Sequence, residues 1–134
     1  MIRLIQFLNE KNHFLEKFYS LNEYQMSRLE SGLFDDIEKF YNQREDLLKI
    51  IKYVDAEIHQ SHMVHKDITG AFDENQKMQI REALRCKEMY VQKILEQDLS
   101  ILSLIDEAKS QIIKELQDIK HTKKALAGYK SPAA

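Results

Sequence analysis

One cysteine, one proline, three glycines and no tryptophan occur in 134 residues, and each scarcity excludes something. The lone thiol, Cys86, has no internal disulfide partner, which fits a reducing compartment and sets the expected location as the cytoplasm. So little glycine and proline argues against a sheet protein, whose many turns need such residues. Charge of one sign is also missing. Twenty basic residues face 22 acidic ones, a formal net charge of −2, so no global field draws nucleic acid or an anionic membrane. No run approaches the roughly 20 apolar residues of a membrane span, so no stable insertion is expected. The opening MIRLIQFLNEKNHF lacks the unbroken apolar stretch and cleavage site of a secretory leader. Gly-rich phosphate loops, HExxH, CxxC and nucleophile elbows are absent from the chain, so it is read as no enzyme and as needing no cofactor.

What the chain does contain favours long helices. Glu, Gln, Lys and Leu are abundant, and 31% of residues are charged. The expectation is one all-α domain over residues 1–134. Its first helix spans about 2–31, where Phe7, Phe14 and Leu21 recur every seven residues, as do Leu8, Leu15 and Leu29 with a gap at Asn22. Gly32 then supplies the left-handed position that ends many helices. A second helix over about 35–61 carries Ile37, Phe40, Tyr41, Leu47, Leu48, Ile51, Val54 and Ile58 at helical spacing, with Asp35 and Asp36 at its dipole-positive start. The short link predicts an antiparallel helical hairpin. Residues 62–73 read as a loop, and Asp73 with Gln76 as a capping box opening a third helix.

That third helix, about 74–127, has no interior Gly or Pro. Leu84, Val91, Ile105, Ile112, Ile119 and Leu126 share a seven-residue grid, with Ile94, Ile101 and Ala108 as a companion row. At about 1.5 Å per residue it is roughly twice as long as either earlier helix. An elongated, coiled-coil-like bundle follows: the hairpin packed on part of a long C-terminal helix. The uncovered remainder must meet a partner or a second copy, or fold back through a break near Gln97–Ser100. Exposed apolar strips of this kind mark binding surfaces.

Other constellations are weaker. Cys86 stands in no recognisable nucleophile context. His59, His62 and His65 are three apart, but sit where the helix is expected to fray and lack a fourth ligand. Glu10 with His13, and Asp118 with His121, imitate half of a di-iron set. The aromatics Phe7, Phe14, Phe18, Phe40, Tyr41 and Tyr53 read as core. Asp98 falls on the grid; a polar residue there sets register, but rotation of the helix to leave it solvated is preferred. The end is basic: Lys120, Lys123, Lys124 and Lys130 with no acidic residue after Asp118. Helix-dipole complementarity accounts for the lysines. It does not account for Tyr129, which either anchors a partner or folds back on the bundle. Residues 128–134 read as a flexible tail.

Two stretches resemble a known family. In LNEYQMSRLESGLFDDIEKFYNQREDLLKII a helix closes on a glycine turn and a second opens on acidic residues. In IIKELQDIKHTKKALAGYK a long helix closes on a Lys-Lys-Ala-Leu-x-x-Tyr ending. Together they resemble flagellar type III export chaperones of the FlgN/FliT type, small all-helical cytosolic proteins. The resemblance implies binding to the C-terminal amphipathic helices of a hook-associated or filament-cap protein, which prevents premature assembly before export. It also implies substrate contacts at Ile94, Ile101, Ile105, Ala108, Ile112, Ile119 and Leu126, less whichever of these faces the hairpin. Tyr129 would be a handle for an export-gate component. Two other readings stand beside it: a self-associating coiled coil that forms a homodimer and carries no cargo, and a metal-binding helical bundle.

Overall fold

The computed structural model describes residues 2–65 and 72–130, with side chains described for 3–62 and 72–127. Three helices account for nearly all of this: α1 (Ile2–Glu30), α2 (Ile37–His65) and α3 (Glu74–Lys130). The all-α expectation holds. α1 is the central element. It packs against both α2 and α3, while α2 and α3 meet only through side chains. Leu4 and Leu8 pack on Ala83, Leu15 and Phe18 on Ile94, and Leu29 on Ile101, so α1 and α3 run parallel. Phe40 packs by Leu29 and Ile51 by Leu15, so α2 runs antiparallel to α1.

The local signals explain the ends. α1 stops in a Schellman motif: the Leu33 N–H donates to the Arg28 carbonyl at 2.9 Å and the Gly32 N–H to Leu29 at 3.0 Å. Gly32 has φ of 78°, the left-handed conformation that side chains resist. Arg28 then ties the turn down through Asp36 and Asp35, each at 2.8 Å. The Asp36 carboxylate, partly offset by desolvation and then helped by Asp35, raises the guanidinium pKa above its ordinary value. These aspartates therefore serve the turn, and α2 starts two residues later than expected, with the Asp36 carbonyl accepting from Phe40 N–H at 3.0 Å. The capping box at α3 forms in both directions: Gln76 N–H to Asp73 Oδ1 at 2.7 Å and Asp73 N–H to Gln76 Oε1 at 3.0 Å.

Two boundaries need correction. α2 runs through His65, so residues 62–65 are helical and not loop. α3 runs through Gly128 to Lys130, so residues 128–130 are helical and not tail. One glycine costs a helix only about 1 kcal/mol, and the neighbours Ala125, Leu126 and Ala127 are strong helix formers. Residues 131–134, the rest of the expected tail, lie outside the described residues. α3 is continuous across Gln97–Ser100, so of the alternatives for the uncovered remainder the fold-back through a break there is removed.

The bundle is layered along its axis. Leu4, Leu8 and Ala83 form one apolar cluster, Leu15, Phe18, Ile51 and Ile94 a second, and Leu29, Phe40 and Ile101 a third. Asn22, the gap in the α1 repeat, lies between the second and third and is fully buried.

Candidate functional site: the α3 overhang and its notch

Asn22 nucleates a polar layer that fixes how α3 lies on the hairpin. Its amide donates to Gln97 Oε1 at 3.1 Å and to Asp98 Oδ1 at 3.3 Å. Gln97 Nε2 donates to Glu23 Oε1 at 2.8 Å and to the Tyr19 carbonyl at 3.1 Å. Arg44 of α2 reaches across to Asp98 Oδ2 at 2.8 Å, with its guanidinium 5.0 Å above the Phe18 ring. Asp98 is thus only partly solvated, against the reading that rotation leaves it in water; its side chain is 25% exposed and joins all three helices. Sliding α3 along α1 would strand these polar groups away from their partners, so the layer sets register, the best-attested use of buried polar residues. Nearby, burial and then the Glu16 charge push the Tyr90 phenol above its ordinary pKa.

With register fixed, α3 outruns the hairpin. At about 1.5 Å per residue, α1 spans ~43 Å and α3 ~85 Å. Every described residue from Lys109 to Ala127 is exposed. This overhang runs on for ~33 Å, and beyond Ile112, which lines a notch beside the α1–α2 turn, its apolar repeat has nothing against it among the described residues.

The named contact residues divide along this line. Ile94 and Ile101 are buried, at 9% and 2% exposure, in the second and third clusters, so both leave the candidate surface. Ile105 and Ala108 are half-buried where the bundle ends. Ile112, Ile119 and Leu126 stand 52–53% exposed on the overhang. Tyr129 lies in the last helical turn, and its side chain falls outside those described. Five exposed leucine and isoleucine positions on α3 escaped the sequence reading: Leu95, Leu99, Leu102, Ile113 and Leu116. They form a second row on α3, legible as Leu95, Leu102 and Leu116 at seven-residue spacing, with Lys109 interrupting it. Following only the grid nearest the bundle hides them.

The overhang begins at a notch of about 400 Å³ beside the α1–α2 turn. Leu29, Phe34, Leu104 and Ile112 form its apolar floor, and Glu30, Glu107 and Glu115 rim it. Among the described residues none of these three carboxylates is in an ion pair.

The same geometry bears on the other readings. A dimer seam along the whole Leu84–Leu126 grid is closed within the bundle, because Val91 packs on the second cluster and Asp98 is held by Arg44. Glu10 and His13 sit on the α1 half beside Ala83, whereas Asp118 and His121 stand on the overhang, so these four do not converge. His59 and His62 are exposed, and no metal-holding group of three ligands occurs among the described residues. No described helix is long and apolar enough to cross a membrane. Comparison with known proteins returns nothing: no family model, curated protein or solved structure matches the chain.

Proposed function

We propose that the protein is a cytosolic flagellar export chaperone of the FlgN/FliT type. It holds the C-terminal amphipathic helices of a hook-associated or filament-cap protein and passes them to the type III export gate. One observation carries the reading: a helix anchored in register by a polar layer presents Ile112, Ile113, Leu116, Ile119 and Leu126, each 52–59% exposed, beyond its own bundle. Laying an amphipathic helix along that strip is helix-in-groove recognition, and it buries on both partners the surface that would otherwise drive subunit assembly. The resemblance of the hairpin and the C-terminal ending supplies the identity of the cargo; the strip supports only the mode of binding. Tyr129, in the last turn, is the proposed contact for the export gate.

The test is a mixing experiment by size-exclusion chromatography with light scattering, using C-terminal fragments of the hook-associated and cap proteins of the same organism. A discrete complex with one fragment, lost in Ile112→Asp/Ile119→Asp, supports the chaperone. Failure of every fragment to bind, or a complex indifferent to those substitutions, refutes it. The second reading, a self-associating protein without cargo, draws on the same strip and is confined by the bundle to the overhang.

A further inference from the structure

We propose that the notch at the base of the overhang receives the basic end of a second copy of this chain, making an antiparallel pair. The inference stands on charge and reach and does not rest on the chaperone reading. The notch pairs an apolar floor of Phe34, Leu104 and Ile112 with Glu30, Glu107 and Glu115 at its edge. Its occupant therefore presents an apolar residue flanked by cations. The chain has such a segment: Lys120, Lys123 and Lys124 surround Ile119 and Leu126, all of them exposed and with no acidic residue among them.

The segment does not reach its own notch. α3 is an unbroken helix, so Leu126 lies two heptads, ~21 Å, beyond Ile112 along the axis. A second copy running the opposite way brings its end to the notch, and the exchange is reciprocal. Ile119 lies midway between Ile112 and Leu126, so a two-fold pair centred near it fills both notches at once and closes the assembly. A parallel pair would instead set the two lysine clusters side by side. Each overhang is only ~33 Å long, which places the contact among small, reversible interfaces. Facing charges of opposite sign make it sensitive to salt. The pair covers the exposed isoleucines while no other partner is bound, and anything binding that face competes with it.

Sedimentation equilibrium on the full chain, over a concentration series at low and high salt, reads this directly. The expected result is a monomer–dimer equilibrium weakened about tenfold or more by high salt. Glu107→Lys/Glu115→Lys and Lys120→Glu/Lys123→Glu/Lys124→Glu should each be monomeric, with helix content by circular dichroism unchanged. Mixed together, the two variants should restore a dimer, because each then offers the charge the other lacks. A wild-type chain that stays monomeric throughout overturns the proposal. So does a dimer that survives either charge reversal, or a mixture of the variants that does not associate. No cargo is present in the experiment, so its failure leaves the chaperone reading to its own test.

Discussion

Ile101 and Ile119 belong to one helix and to the two companion rows of one apolar seam, yet one is 2% exposed and the other 53%. The bundled part of α3 and its overhang differ in partners, not in pattern. Below Ala108 the repeat meets α1 and is sealed in register by Asn22, Gln97, Asp98 and Arg44. Above it, Ile112 lines the notch and the rest of the repeat meets nothing among the described residues. The overhang extends a helix already nucleated by the bundle, so it avoids the nucleation cost that leaves short isolated helices marginal. Periodicity thus reports that a face is apolar; the lengths of the neighbouring helices decide whether that face becomes core or binding surface.

The largest expected contrast comes from truncating those two isoleucines. Ile101→Ala should cost about 2–5 kcal/mol, the range for a core aliphatic reduced to Ala. Ile119→Ala should change monomer stability by less than about 0.5 kcal/mol. Urea unfolding of both variants, below the concentration of any self-association, checks the pair; comparable losses would mean that the overhang is packed. Next in size is the polar layer. Asp98→Leu leaves Arg44 without its partner and should cost about 1–3 kcal/mol, less than a fully buried pair because the site is partly solvated. Adding Arg44→Met should recover most of that loss, which a double-mutant cycle would show.

Smaller effects refine the bundled side of the comparison. Gln25 is 1% exposed and its Nε2 finds no partner among the described residues, so Gln25→Met should stabilise by about 1 kcal/mol. A loss instead would reveal that the amide is satisfied in solution. Gly32→Ala meets open space but must adopt φ of 78°, and should cost about 1 kcal/mol through backbone strain alone. Gly32→Asn, which tolerates that conformation better, should cost less in the same thermal-unfolding series.

Much of the fold was legible in the sequence because its signals are local. The Gly32 turn, the Asp73–Gln76 box and the apolar row on α1 each follow from residues a few positions apart; on α2 the row is core only in part, since Phe40, Ile51 and Val54 are buried while Tyr41, Leu48 and Tyr53, read as apolar face or core, are exposed. What was not legible depended on contacts between distant residues. Asp98 reads as solvated until Asn22 and Arg44 arrive from two other helices. Asn22 reads as a defect in a stripe until Gln97 faces it. The division of the α3 grid was expected in kind, but nothing short of the packed lengths of α1 and α3 places it at Ala108. Gly128 was overvalued as a helix end, because strong helix formers flank it.

Amide hydrogen exchange along α3 tests most directly whether one helix serves two purposes. It should be read residue by residue on the full chain at a concentration where it sediments as a monomer. The account predicts strong protection through Ile101, near that of global unfolding, and exchange faster by about a hundredfold or more beyond Lys109. Uniform protection from Ile94 to Leu126 in the monomer would contradict it, since the overhang would then be part of the folded core.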